Sequence, residues 1–93
     1  KPIESLNALA SGRVQIVMYR DFAQRKSRGL RLVGEVQNLK DGTVRVVAEG
    51  PRANLEVYVE KLKKGPLLAR VEGVRADFRE AAGGYTDFSI RYD

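Results

Sequence analysis

The stretch Val14–Phe22 reads V-Q-I-V-M-Y-R-D-F: an apolar strand end that delivers an arginine, then an aspartate, where a helix can begin. A loop entering a helix presents N–H groups without intrahelical partners, and the helix dipole makes that end positive. Arg20 stands where its guanidinium can complete such an anion cradle, with paired N–H bonds to phosphate oxygens. On residue type alone, an arginine at a helix start is more often simply solvated or ion-paired. Asn38 is the second candidate. It is a poor strand former near the end of an apolar run, shortly before Lys40-Asp41-Gly42. Capping the turn is the commoner use of its amide. Its carbonyl oxygen can also hold a water molecule in a chosen orientation.

What is missing narrows the chemistry further. The chain has no cysteine and no histidine. Disulfides, thiolate nucleophiles and zinc–thiolate sites are excluded, as are a Ser–His triad, a histidine base and any His-ligated metal. Reactivity must come from Arg, Lys, Asn, carboxylates, hydroxyls or backbone amides. Seventeen basic against twelve acidic residues give a net charge of +5, which suits a phosphate-bearing partner. The basic residues are spread along the chain with no polybasic tail.

Ninety-three residues predict one domain over 1–93, with residues 1–6 as an N-terminal extension outside the fold. No apolar run reaches the ~18 residues that would span a bilayer. The opening K-P-I-E-S-L-N lacks a signal-peptide core, so a cytoplasmic protein is expected. The absence of an initial Met leaves open a fragment of a larger chain.

The elements that must position Arg20 and Asn38 follow from periodicity. Ala8–Val17 reads as a strand with Ala8, Ala10, Gly12, Val14 and Ile16 on one face. Asp21–Arg28 reads as a short helix, acidic at its start and basic toward its end, with Phe22, Ala23 and Leu30 inward. Leu32–Leu39 and Thr43–Glu49 flank Asp41-Gly42 and predict an antiparallel hairpin. After Pro51, Leu55, Tyr58, Val59 and Leu62 recur at the spacing of one helical face, and Gly65-Pro66 ends that helix. Leu68–Ala76 and Asp87–Tyr92 are further strands, with Tyr85, Phe88 and Tyr92 expected in core and edge packing. The order β-α-β-β-α-β plus a C-terminal strand predicts an α+β, ferredoxin-like two-layer sandwich: an antiparallel sheet with two helices on one face.

Four stretches carry a resemblance. G-R-V-Q-I-V-M-Y-R-D-F at Gly12–Phe22, G-E-V-Q-N-L-K-D-G-T-V at Gly34–Val44, A-E-G-P at Ala48–Pro51 and K-K-G-P-L-L-A-R-V at Lys63–Val71 are similar to the acylphosphatase family, including the Arg20-to-Asn38 spacing. The resemblance implies a hydrolase of carboxyl–phosphate anhydrides. Arg20 and the backbone of Gln15, Ile16, Val17, Met18 and Tyr19 would bind phosphate, and Asn38 would orient the attacking water. A carboxylate leaving group, with an acid pKa near ~4–5, needs no general acid. No metal and no cofactor are implied. The partners are an acyl phosphate or inorganic phosphate or sulfate, and a monomer is expected.

The chain departs from the family pattern in four places. The loop glycine falls at Ile16, Met18 stands where Gly, Cys or Phe is frequent, Glu35 replaces an aromatic residue, and Arg31 replaces a helix-ending glycine. A β-branched residue at positive φ is strained, so Ile16 is expected to reshape the loop and reduce the amides it offers. That leaves a second reading: a catalytically weak or inactive acylphosphatase-like domain that binds anions or a partner; a variant of it makes the chain a fragment of a larger protein, since hydrogenase-maturation carbamoyltransferases carry a similar N-terminal domain. A third, nucleic-acid binding on the sheet as in RNA-recognition motifs, is disfavoured because strand Thr43–Glu49 carries no aromatic residue.

Overall fold

The computed structural model describes residues 3–92. Strand β1 (Ile3–Arg13) leads through a loop to α1 (Tyr19–Gly29), then β2 (Val33–Asn38), β3 (Val44–Pro51), α2 (Arg52–Lys64), β4 (Arg70–Glu80) and β5 (Phe88–Arg91). The strands form one sheet in the order β4-β1-β3-β2-β5. The first four are antiparallel, joined by Ala8↔Val46, Ala8↔Ala76 and Val36↔Val46. β5 is added parallel to β2 through Val36↔Ile90, so the sheet is mixed where an antiparallel one was expected. Residues 81–87 carry the chain from β4 to the far edge, held on the way by the Ala82 amide donating to Glu49 Oε2 at 3.3 Å.

Strand alternation puts Leu6, Ala8 and Ala10 of β1, Val36 of β2, Val44, Val46 and Ala48 of β3, and Phe88 of β5 into one buried cluster. Tyr19 and Ala23 of α1 and Leu55, Tyr58, Val59 and Leu62 of α2 complete that cluster, so both helices cover the same face. The buried hydroxyl of Tyr58 donates to the Ala23 carbonyl at 2.8 Å, tying the helices together and satisfying a group that burial would otherwise penalise. Burial also pushes this phenol well above its ordinary pKa. Gln24 and Arg28 donate to the Phe88 carbonyl, fixing α1 across β5.

Several boundaries differ from expectation; β4 runs Arg70–Glu80 where Leu68–Ala76 was expected, and both ends of β1 move. Ile3–Leu6 are not an extension but the start of β1, paired with β3 through Ile3↔Pro51; Lys1 and Pro2 lie outside the described residues. β1 also stops at Arg13 instead of Val17. Its ladder with β3 ends at Ala10, and its register with β4 shifts between Ser11 and Gly12. Gly12 has φ 111°, and a Cβ there would strike the Arg70 carbonyl and the Glu72 amide. This bulge lifts the chain out of the sheet just before the loop that leads to Arg20.

Candidate active site

Beyond Gly12 the loop is held at three points. Val14 and Val17 are buried in the core. Gln15 reaches the β2–β3 hairpin, where its Nε2 donates to the carbonyls of Leu39 at 2.8 Å and Thr43 at 2.9 Å. Between these anchors Ile16 and Met18 take left-handed conformations, φ 63° and 61°. The isoleucine itself takes a left-handed conformation of the kind that glycine adopts readily. It is 99% exposed, so its branched side chain meets no neighbour that would force the backbone over.

The loop leaves its amides open. Among the described residues, the N–H groups of Gln15, Ile16, Val17, Met18 and Tyr19 meet no backbone carbonyl, and Met18 at the N-cap provides no side-chain bond. The first helical turn is closed by the Phe22 amide donating to the Met18 carbonyl at 3.0 Å. Tyr19 anchors the helix start from below, its buried hydroxyl donating to the Leu62 carbonyl at 2.7 Å. Burial raises its phenol pKa well above the ordinary value, so it stays neutral.

Arg20 lies half-buried at this helix start. Its Nη1 donates to the Arg91 carbonyl at 3.0 Å, and its guanidinium sits 4.7 Å from the centre of the Tyr92 ring. Neither contact neutralises the charge. The adjacent Asp21, which also lines the cleft beside Arg20, has its carboxylate paired with Arg25 at 2.9 Å. Among the described residues Arg20 forms no ion pair.

Asn38 ends β2. Its Oδ1 is buried and has no hydrogen-bond partner among the described residues. Turn capping does not account for it. Asp41 Oδ1 accepts from the Thr43 amide at 3.0 Å and the Thr43 hydroxyl at 2.6 Å, which hold its carboxyl below the usual pKa. The Leu39 and Thr43 carbonyls are taken by Gln15.

Arg20, Asn38, Ile16, Met18, Ile90 and Tyr92 line one cleft of about 380 Å³. A larger groove, about 560 Å³, runs over the open sheet face past Asn7, Arg45 and Asp77. There Arg45 is paired with Glu35 and Asp77 with Arg79, and Arg75 lines the groove as well. Glu35, which replaces an aromatic residue, thus braces Arg45 at 3.4 Å and Arg91 at 3.5 Å. Of the expected site residues, Ile16, Met18, Tyr19, Arg20 and Asn38 reach the cleft, whereas the Gln15 side chain and Val17 hold the loop from outside it. The contribution of β5 was missed. Tyr92, expected in packing, is 78% exposed over Arg20; its place in the Phe88–Ile90–Tyr92 alternation was the available signal.

Comparison with known proteins agrees along the whole fold. The acylphosphatase family profile matches residues 6–90. The acylphosphatase of Thermus thermophilus is 55% identical over 84% of this chain and 89% of its own length. That of Salinibacter ruber is 43% identical over 92% of this chain and 90% of its own. The crystal structure of acylphosphatase from Bacillus subtilis superposes with a TM-score of 0.92 at 34% identity, covering 96% of this chain and 99% of that one. With sequence, backbone and profile in accord, this chain belongs to the acylphosphatase family, hydrolases that act on acid anhydrides.

Proposed function

We propose that the cleft hydrolyses the carboxyl–phosphate bond of acyl phosphates, with Arg20 and the amides of Gln15–Tyr19 as the phosphoryl seat and Asn38 as the water-orienting group. The observation that carries this reading is the pairing of two unmet demands. Among the described residues, a guanidinium with no ion pair and a buried carbonyl oxygen with no donor line one small cleft. A phosphoryl group answers the first and a water molecule the second.

Left-handed residues spaced two apart are the backbone pattern of an anion-binding nest, and the α1 dipole adds to its field. Charge on the transferring phosphoryl group is met by fixed donors that need no reorganisation as the bond breaks. Asn38 Oδ1 accepts a hydrogen bond from water and aims its oxygen at phosphorus, opposite the departing carboxylate. The new P–O bond forms as the P–O bond to the acyl group breaks. The carboxylate leaves with that electron pair, and the proton lost by water passes to a phosphoryl oxygen, giving carboxylate and inorganic phosphate. A base is not needed because the phosphoryl oxygens lie beside the water, and an acid is not needed because a carboxylate leaves unprotonated at neutral pH.

The same reading makes the reaction metal-independent, since guanidinium and amides already supply the positive charge that phosphoryl transfer requires. It also describes a cytoplasmic monomer; the chain has no cysteine, and no helix among the described residues is long and apolar enough to cross a membrane. Nothing at Ile16 favours the binding-only alternative, because the loop keeps its left-handed geometry with isoleucine in place. Purified protein should release inorganic phosphate from benzoyl phosphate at the same rate with and without EDTA. Release no faster than the spontaneous rate at high enzyme concentration would defeat this reading.

A further inference from the structure

Three large apolar side chains that the core does not use stand around the mouth of this cleft. Ile16, Met18 and Tyr92 line it and are 99%, 71% and 78% exposed. Ile90, packed against the core, continues the apolar surface inward. The polar groups Arg20 and Asn38 line the same cleft and are half-buried. A few polar groups that fix orientation, surrounded by apolar walls that take area, is the usual build of a small-molecule site.

We infer that this apolar collar is a subsite for the hydrocarbon part of the acyl group, and that it favours acyl phosphates with an extended carbon chain over acetyl phosphate. The inference rests on the catalytic reading above: with the phosphoryl group on Arg20 and the loop, the acyl body extends toward solvent along a cleft that these three exposed side chains line. Acetyl phosphate has one methyl group and cannot reach them. A chain of five or six carbons can cover Met18 and the free part of the Tyr92 ring, whose contact with Arg20 keeps it in place. The collar holds this hydrocarbon equally before and during P–O cleavage. Its benefit therefore falls in KM, with kcat little changed.

The test is a series of straight-chain substrates from acetyl to hexanoyl phosphate. Beyond acetate these acids differ little in acidity, so the leaving group stays constant while chain length varies. A fully buried methylene is worth about fourfold in binding, and one covered on a single side about twofold. The native protein should show kcat/KM rising about tenfold across the series through KM. In the Ile16→Ser, Met18→Ser double variant the rise should shrink to about twofold; slope within one protein is the readout, which cancels any general change in the loop. A flat series in an active native protein, or an undiminished slope in the double variant, would overturn the subsite alone. Failure to hydrolyse any member would instead overturn the catalytic reading, and the subsite with it.

Discussion

Arg31, past the end of α1, has φ 57°, and Ile16 and Met18, ahead of α1, have φ 63° and 61°. All three are non-glycine residues in a left-handed conformation that costs a side chain about 1–2 kcal/mol. At Arg31 the turn is closed on itself. The Arg31 amide donates to the Arg28 carbonyl at 3.1 Å and the Leu32 amide to Ser27 at 2.9 Å, the paired bonds of a Schellman cap. At Ile16 and Met18 the same backbone geometry returns no such bonds, and among the described residues five consecutive amides stay open beside a guanidinium with no ion pair. The comparison separates a turn that ends a helix from one that prepares for a ligand: what differs is where the amides go, not the dihedral angle.

Substitutions at the open end should have the largest effects. Arg20→Ala removes the guanidinium that lines the cleft and should lower kcat/KM for benzoyl phosphate by about 10²–10³-fold, with weaker competitive inhibition by inorganic phosphate. Asn38→Ala should lower kcat by roughly 10²-fold while leaving phosphate inhibition close to native, because it acts on water and not on the phosphoryl group. Equal loss of phosphate affinity in both variants would mean that the two residues do not divide the work in this way.

Smaller effects should distinguish the two ends by their response to glycine. Arg31→Gly relieves the backbone cost inside a closed cap and should stabilise the fold by about 1 kcal/mol, or about 4–8 °C in Tm for a domain of this size, without altering turnover. Ile16→Gly relieves the same cost but frees an exposed loop whose value lies in being fixed. It should add less stability and lower kcat/KM severalfold. An Ile16→Gly variant that gains as much stability as Arg31→Gly and also turns over faster would show that isoleucine burdens the loop instead of setting it.

The two helices and the hairpin were legible because their signals are local. Asp41-Gly42 marks the turn, and Leu55, Tyr58, Val59 and Leu62 mark one helical face, all of which are buried as read. The parallel docking of β5 was not legible, since no local pattern says which edge a last strand joins. The end of β1 was misread for a physical reason: Val14 and Ile16 prolong the alternation of Ala8 and Ala10, but the bulge at Gly12 breaks the register, and Ile16 ends in solvent. Arg20 and Asn38 could be singled out from residue type and from family spacing. Their setting could not. The strap from Gln15, the Arg91 carbonyl and the Tyr92 ring depend on contacts between distant segments, which spacing in one chain does not encode.

The most direct test of the open loop is a titration of 15N-labelled protein with inorganic phosphate, followed amide by amide. The amides of residues 15–20 should shift together along one saturation curve, those of Arg31 and Leu32 should stay still, and Arg20→Ala should weaken the whole curve. Phosphate that moved the capped amides as much as the open ones, or left residues 15–20 unmoved at saturating concentration, would contradict the account.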